Sequence, residues 1–216
     1  MKLLKEICLA CLLASGLFVF AGCSKTGNNV SGGKQQSEPV VEVLTYPLLL
    51  RQNFTNNSVL ASNKLGKAHT ESDRYLALPE AAKLAFVFGK IDDAHDYATE
   101  LLTLDAKFQA EPWRNGDAVF AGNFVLGRIA VQEGHIEDAK KYLLASGKSV
   151  GSPVLGSFGP NMSLAKDLIQ HEERKTVLQY FELCRKFWSV GNDKLTQWSE
   201  DVKAGNVPDF GGNLYY

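Results

Sequence analysis

The chain has 216 residues, of which 45% are hydrophobic and 22% charged, with a formal net charge of −1. That length predicts one folded domain, with or without a tail, and the apolar share is enough to build a core. A balance this near zero excludes a protein that grips nucleic acid through bulk positive charge, because displacing counterions from phosphates needs a basic face.

Residues 1–22 read as a secretory leader. Lys2 and Lys5 precede an apolar run from Ile7 to Phe20, which ends in the small pair Ala21-Gly22 directly before Cys23. The run is short of the ~20 apolar residues of a membrane span, and a polar stretch follows it. Phe20-Ala21-Gly22-Cys23 resembles the lipobox of bacterial lipoproteins. The resemblance implies lipidation of the Cys23 sulfur, of the kind that palmitate labelling reports, cleavage before that residue, and anchoring in the cell envelope. Ser24 at the next position implies the periplasmic face of the outer membrane. Cys8 and Cys11 lie in the leader and Cys23 takes lipid, so Cys184 alone remains of the four cysteines and no intramolecular disulfide is expected. Residues 23–39 then read as the lipidated Cys and a flexible tether. From Ser24 to Pro39 Val30 is the one aliphatic residue among Gly, Ser, Asn and Gln, and about 16 such residues reach roughly 20–25 Å.

The folded domain is expected over residues 40–216. Val40 to Leu50 is apolar but broken by Pro47, and reads as an extended lead-in packed on the first helices, its β-branched content also permitting a short strand. A short helix is expected near Val59 to Leu65. Ser72 to Phe88 carries Leu76, Ala81, Leu84, Ala85 and Phe88 at helical spacing and ends at Gly89; Pro79 marks an alternative, later start. In the helix that follows, Ile91, Ala94, Ala98 and Leu101 form the inner stripe. Residues 105–117, with Pro112, Trp113 and Gly116, are predicted to be a loop and the natural place for binding contacts. Asp117 is placed to cap a helix running to Glu133, and Ile136 to Ser146 forms the next one. Residues 147–160, with four glycines and two prolines, read as a connector that delivers Asn161 or Ser163 as the next cap. This stretch lacks the preceding strand and Walker spacing of a phosphate loop. Met162 to Gln170 and Arg174 to Val190 make a further pair, the second with Val177, Phe181, Cys184 and Trp188 on one face. Cys184 there reads as a small core hydrophobe rather than a reactive thiol. After Gly191, Lys194 to Ala204 forms a terminal helix with Leu195, Trp198 and Val202 inward. The tail from Val207 to Tyr216, carrying Phe210, Leu214, Tyr215 and Tyr216, is expected to strap back onto the last pair.

Self-similarity organises this succession. Moving back 45 residues carries Gly127, Gly134, Ile136, Ala139 and Tyr142 onto Ala82, Gly89, Ile91, Ala94 and Tyr97. Moving forward 38 carries Leu126, Gln132, Tyr142 and Leu143 onto Leu164, Gln170, Tyr180 and Phe181. Fixed offsets of this kind announce an array of helix-turn-helix units, because one hairpin cannot bury its own apolar face. On Leu126-Gly127, the turn Gly134, and the small Ala139 and Ser146, the unit resembles a tetratricopeptide repeat over about Arg74 to Trp188. Asn123 stands where that family has its opening Trp, Ala130 where it has a Tyr, and its period is about 34 residues. The resemblance implies an all-α fold, a right-handed stack of about three tetratricopeptide-like helical hairpins with a C-terminal capping helix, whose first helices line a concave groove. It also implies that Lys83, Arg128 and Lys166 point into that groove, since each follows the helix's small residue. With Phe124, Val131 and Gln132 beside Arg128, they form the candidate partner groove, expected to prefer an acidic peptide or C-terminal carboxylate.

The four histidines are scattered, and His95, among Asp92, Asp93 and Asp96, lacks the paired ligands of a zinc site. No Ser-x-x-Lys with companion motifs occurs. No catalytic residue, metal or cofactor is therefore expected. The reading is a membrane-anchored, non-enzymatic protein-binding or assembly scaffold. The alternative is a small-ligand or cell-wall glycan binding accessory protein that uses Trp113 and the Gly-rich loop.

Overall fold

The structure, a computed structural model, describes residues 59–215. The leader, Cys23, the tether, the lead-in from Val40 and the final Tyr216 lie outside the described residues. Among the described residues the regular structure is helical, without strands. The helices are α1 (residues 59–66), α2 (Glu71–Val87), α3 (Ile91–Lys107), α4 (Asp117–Gln132), α5 (Ile136–Ser146), α6 (Pro153–Phe158), α7 (Ser163–Gln170), α8 (Arg174–Cys184) and α9 (Asn192–Lys203). Short 3-10 turns follow at Ser189–Gly191 and Gly211–Leu214.

Three hairpins, α2 with α3, α4 with α5 and α7 with α8, turn in the same way. In the first, Gly89 N–H donates to Phe86 and Lys90 N–H to Ala85. In the second, Gly134 donates to Val131 and His135 to Ala130; in the third, Glu172 donates to Ile169 and Glu173 to Leu168. This pattern satisfies the last carbonyls of a helix and needs a left-handed residue at its centre. Gly89 (φ 72°), Gly134 (φ 78°) and Glu172 (φ 64°) occupy that place. They lie 45 and 38 residues apart, the two offsets of the sequence self-similarity. Positions counted from these turns are buried in all three hairpins: Ala82, Gly127 and Ala165; Ala94, Ala139 and Val177; Ala98, Leu143 and Phe181. At Gly127 a Cβ would lie 2.4 Å from the Leu164 side chain, so a methyl there would force Leu164 to shift.

Several boundaries and facings differ from expectation. Thr70 caps α2, accepting from Asp73 N–H while the Asp73 carboxylate accepts from Thr70 N–H, so Pro79 sits inside the helix rather than starting it. Of the expected stripe of α2, Ala81, Leu84 and Ala85 are buried, together with Tyr75, Leu78 and Ala82, whereas Leu76 and Phe88 are exposed. Apolar residues fall on more than one side of this helix, so spacing alone does not choose the face; α3 and α4, both packed against it, do so. α3 runs on to Lys107, which makes Asp105 helical and buried. Asp117 is the first residue of α4 rather than its cap; its N–H donates to Asn115 Oδ1 (2.9 Å) and its carboxylate accepts from Ser152 Oγ (2.5 Å). The expected connector over residues 147–160 contains α6, capped by Ser152 with Pro153 in the first turn. Six residues are too few for a periodic signal. Asn161 Oδ1 accepts from Ser163 N–H (2.8 Å), supplying the bond of a cap from one position earlier than the N-cap Met162.

The two stretches that lengthen the repeat hold one another. Gly116 N–H donates to Gly151 C=O, and Ser149 Oγ to Gly116 C=O, both at 2.8 Å. At the far end of the chain Val177, Phe181, Cys184 and Trp188 are all buried on one side of α8 and its extension, and Leu195, Trp198 and Val202 of α9 face them. The tail then crosses back. Phe210 is buried against Phe181 and Trp198, Trp198 Nε1 donates to Asp209 C=O (3.0 Å), and the Asn213 amide donates to Phe158 C=O (3.0 Å) and Pro160 C=O (3.1 Å). Met162 N–H donates to Asn213 C=O at 2.7 Å, which completes the strap.

Candidate functional site

A groove runs along the outer side of α2. Its walls are Leu76, Pro79, Lys83 and Val87 of α2 on one side, and on the other Val154 and Leu155 of α6, then Asn161, Ser163, Leu214 and Tyr215; α4 contributes Ala118, Ala121, Phe124 and Arg128. It has two lobes of about 240 and 380 Å³, which meet at Glu80 and Lys83.

Three of the predicted groove residues meet here. Lys83, Phe124 and Arg128 line the larger lobe together. Lys83 Nζ lies 2.7 Å from Glu80 Oε2, one turn away on the same helix. Arg128 reaches across to α7, with Nε 2.8 Å from Asp167 Oδ2 and Nη1 donating to Ser163 Oγ, and its guanidinium stands 5.1 Å from the centre of the Phe86 ring. Burial holds the Asp167 carboxyl above the usual carboxylate range, with Arg128 pulling the other way. Both cations are thus answered within the chain. Lys166, Val131 and Gln132 do not line the groove. Lys166 is half-buried on α7, where Asn161 and Ser163 supply the wall instead. Val131 packs against the core, and Gln132 is exposed at the end of α4.

Sequence reasoning missed Leu76 as a wall residue, and with it Pro79, Val87, Val154 and Tyr215. The available signal was the second apolar stripe of α2: Leu76, Pro79 and Val87 recur beside the buried series Tyr75, Leu78, Ala82 and Ala85. Leu76 and Val87 stay exposed beside that buried series.

Trp113 of the alternative site lies in the segment between α3 and α4, which is docked. The Arg114 guanidinium donates twice to the buried Asp105 carboxylate, at 2.8 and 2.7 Å. Tyr75 OH contacts Asp105 Oδ1 (3.0 Å) and Asn115 C=O (3.2 Å), and burial, then the bond to Asp105, pushes the Tyr75 phenol pKa up. Trp113 packs on Tyr75 and Phe108 at ring separations of 5.5 and 5.0 Å and keeps 40% of its surface exposed. His95, exposed, stands 3.4 Å from Asp96. Among the described residues no group of three or more His, Cys, Asp or Glu could hold a metal ion, and no helix is long and apolar enough to cross a membrane. Cys184 is fully buried, and burial pushes its thiol pKa up.

The described residues define an all-helical protein with a two-lobed groove along one helix. No family model, curated protein or solved structure matches the chain.

Proposed function

We propose that the chain is a lipid-anchored envelope scaffold, a right-handed, tetratricopeptide-like stack of three hairpins closed by α9, which holds a protein partner in the groove along α2. The observation that carries this reading is the groove itself: Leu76 and Val87, exposed on the first helix of the first hairpin, with the first helix of the second as floor. Repeated turns at Gly89, Gly134 and Glu172 support the stacked-array part of the reading. The lipobox-like Phe20-Ala21-Gly22-Cys23 supports the anchor, and multiple acyl chains anchor durably where one is marginal. Function rests on the site rather than on the architecture, since one fold serves many tasks.

The test is site-specific photocrosslinking in intact cell envelopes. A photoreactive side chain at Val87, in the groove, is expected to capture a protein, and one at Lys175, on α8, is not. Adducts from Lys175 alone, or from neither position, dispose of the reading. The anchor is checked separately: Cys23→Ser is expected to abolish palmitate labelling and release the protein from membranes, and membrane association unchanged by that substitution sinks the anchor.

A further inference from the structure

The two most exposed large apolar side chains of the described residues are Val190, 74% exposed, and Val150, 72%. They stand on adjoining loops. Val150 belongs to the stretch between α5 and α6, and Val190 to the 3-10 turn between α8 and α9. The two loops meet where Gly151 passes Phe187, since a Cβ on Gly151 would lie 2.8 Å from the Phe187 Cβ. α6 also packs on the 3-10 turn, so both valines project into solvent from one corner of the fold. Neither lines the groove along α2.

Positive charge gathers at the same corner. Residues 147–152 contain Lys148 and no acid, and residues 185–194 contain Arg185, Lys186 and Lys194 against Asp193 alone. Arg185 is taken by Glu182, its Nε 3.2 Å from that carboxylate, and Asp117, beside the first loop, is held by Ser152 Oγ. Lys148, Lys186 and Lys194 are exposed and have no acidic partner among the described residues. Lys194 Nζ stands 5.9 Å from the centre of the Trp188 ring, which keeps it beside the 3-10 turn. An apolar tip ringed by cations fits a surface that is anionic outside and hydrocarbon beneath. A protein cleft would strip water from the lysines, at a cost that pairing seldom returns. Lipid headgroups meet them in the wet interface, while their stems lie along the acyl chains. Magnitudes assign the two parts their roles. One myristoyl chain holds a protein on a bilayer only marginally, and two valines bury less carbon than that. Each lysine near an anionic surface adds about fivefold in affinity, on the order of a hundredfold for three. We infer that this corner is a bilayer-contact surface, in which Val150 and Val190 enter the headgroup layer and Lys148, Lys186 and Lys194 take anionic phospholipid headgroups. It is separate from the groove along α2, and either reading can fail alone.

The test mixes the full chain bearing Cys23→Ser, at millimolar lipid, with vesicles of phosphatidylcholine or of equal parts phosphatidylcholine and phosphatidylglycerol. Val190→Trp places a reporter at the tip, and Lys175→Trp, at the start of α8, is its control; melting curves confirm that both fold. Phospholipids brominated on their acyl chains are expected to quench the emission added by Val190→Trp in the anionic vesicles, and to leave that added by Lys175→Trp unchanged. Replacing Lys148, Lys186 and Lys194 by Gln is expected to raise the lipid concentration for half-maximal quenching at least about tenfold, and added salt raises it too. Val150→Asp, which removes carbon and adds repulsion, is expected to raise it about tenfold. Three results overturn the inference. One is equal quenching, or none, in Val190→Trp and Lys175→Trp, which would show that any lipid contact comes from another part of the chain, the leader included. Another is quenching in Val190→Trp that is the same in both kinds of vesicle and indifferent to the lysine substitutions. The third is a chain that sediments as a dimer without lipid and as a monomer in Val190→Asp, which would make the occupant a second copy.

Discussion

The first and third hairpins put different side chains at equivalent places. On α3 the buried positions five and nine residues after the turn are Ala94 and Ala98; on α8 they are Val177 and Phe181. Small residues let helices approach closely. A Cβ at Gly122 of α4 would lie 2.7 Å from the Leu102 side chain and 3.2 Å from the Ala98 carbonyl oxygen. That end has its own apolar cluster, Tyr75, Leu78, Leu101 and Leu104 with Phe108 packed on it, and a polar bolt closes it: Arg114 on Asp105, with Tyr75 bonded to the same carboxylate. At the other end Phe181 meets Trp198 and Phe210 at 6.2 and 6.3 Å, Trp188 packs on Trp198 at 5.9 Å, and the strap covers them. One end adds a paired, buried carboxylate to its apolar contacts, and the other is held by apolar area. The two respond differently to damage. Area is lost in proportion to what is removed, whereas a buried pair missing one member leaves a charge that costs more than the pair contributed.

Three substitutions sharpen this contrast. Phe181→Ala is expected to cost about 4 kcal/mol, because the ring is fully buried and its aromatic neighbours cannot collapse into the space. Urea unfolding measures it, and a loss below ~2 kcal/mol would show a softer core than the packing implies. Arg114→Met is expected to cost about 3 kcal/mol by stranding the Asp105 carboxylate. Here the contrast is open to a direct check: adding Asp105→Leu should return most of the loss, since removing both charges is close to neutral, while no second change to a smaller residue rescues Phe181→Ala. Failure of the double variant to recover would mean that the bolt contributes shape rather than charge pairing. The smallest effect concerns the turns. Glu172 holds a left-handed conformation that Gly89 and Gly134 hold without strain, and its carboxylate pairs with Arg174 at the surface, where such pairs contribute little. Glu172→Gly is therefore expected to stabilise the chain by about 0.5–1 kcal/mol, read as a small rise in melting temperature. A fall would show that the third turn differs from the other two in more than its residue.

Much of the third and second hairpins was legible from local pattern. Ile136 to Ser146 forms the expected helix, and Val177, Phe181, Cys184 and Trp188 face inward together, because each series repeats at the helical period on a helix with a polar opposite face. Counting positions back from the turns gives Lys83, Arg128 and Lys166; the first two line one lobe, with Phe124, and Lys166 does not. Their acidic partners do not follow, because Asp167 lies on another hairpin and its distance from Arg128 depends on how the hairpins stack.

The sequence by itself determined where the chain turns and which residues of the amphipathic helices are buried. Capping, left-handed glycines and 3.6-residue periodicity all act within one or two turns of backbone. Tertiary structure alone decided which face of α2 is covered and that the loops around Gly116 and Ser149 clasp one another. It also decided that Tyr75, Asp105 and Arg114 meet, and that the groove's cations are paired. Each of these joins residues from separate elements through short contacts, and such contacts exist only where the shapes of the neighbouring helices bring the groups within hydrogen-bonding reach.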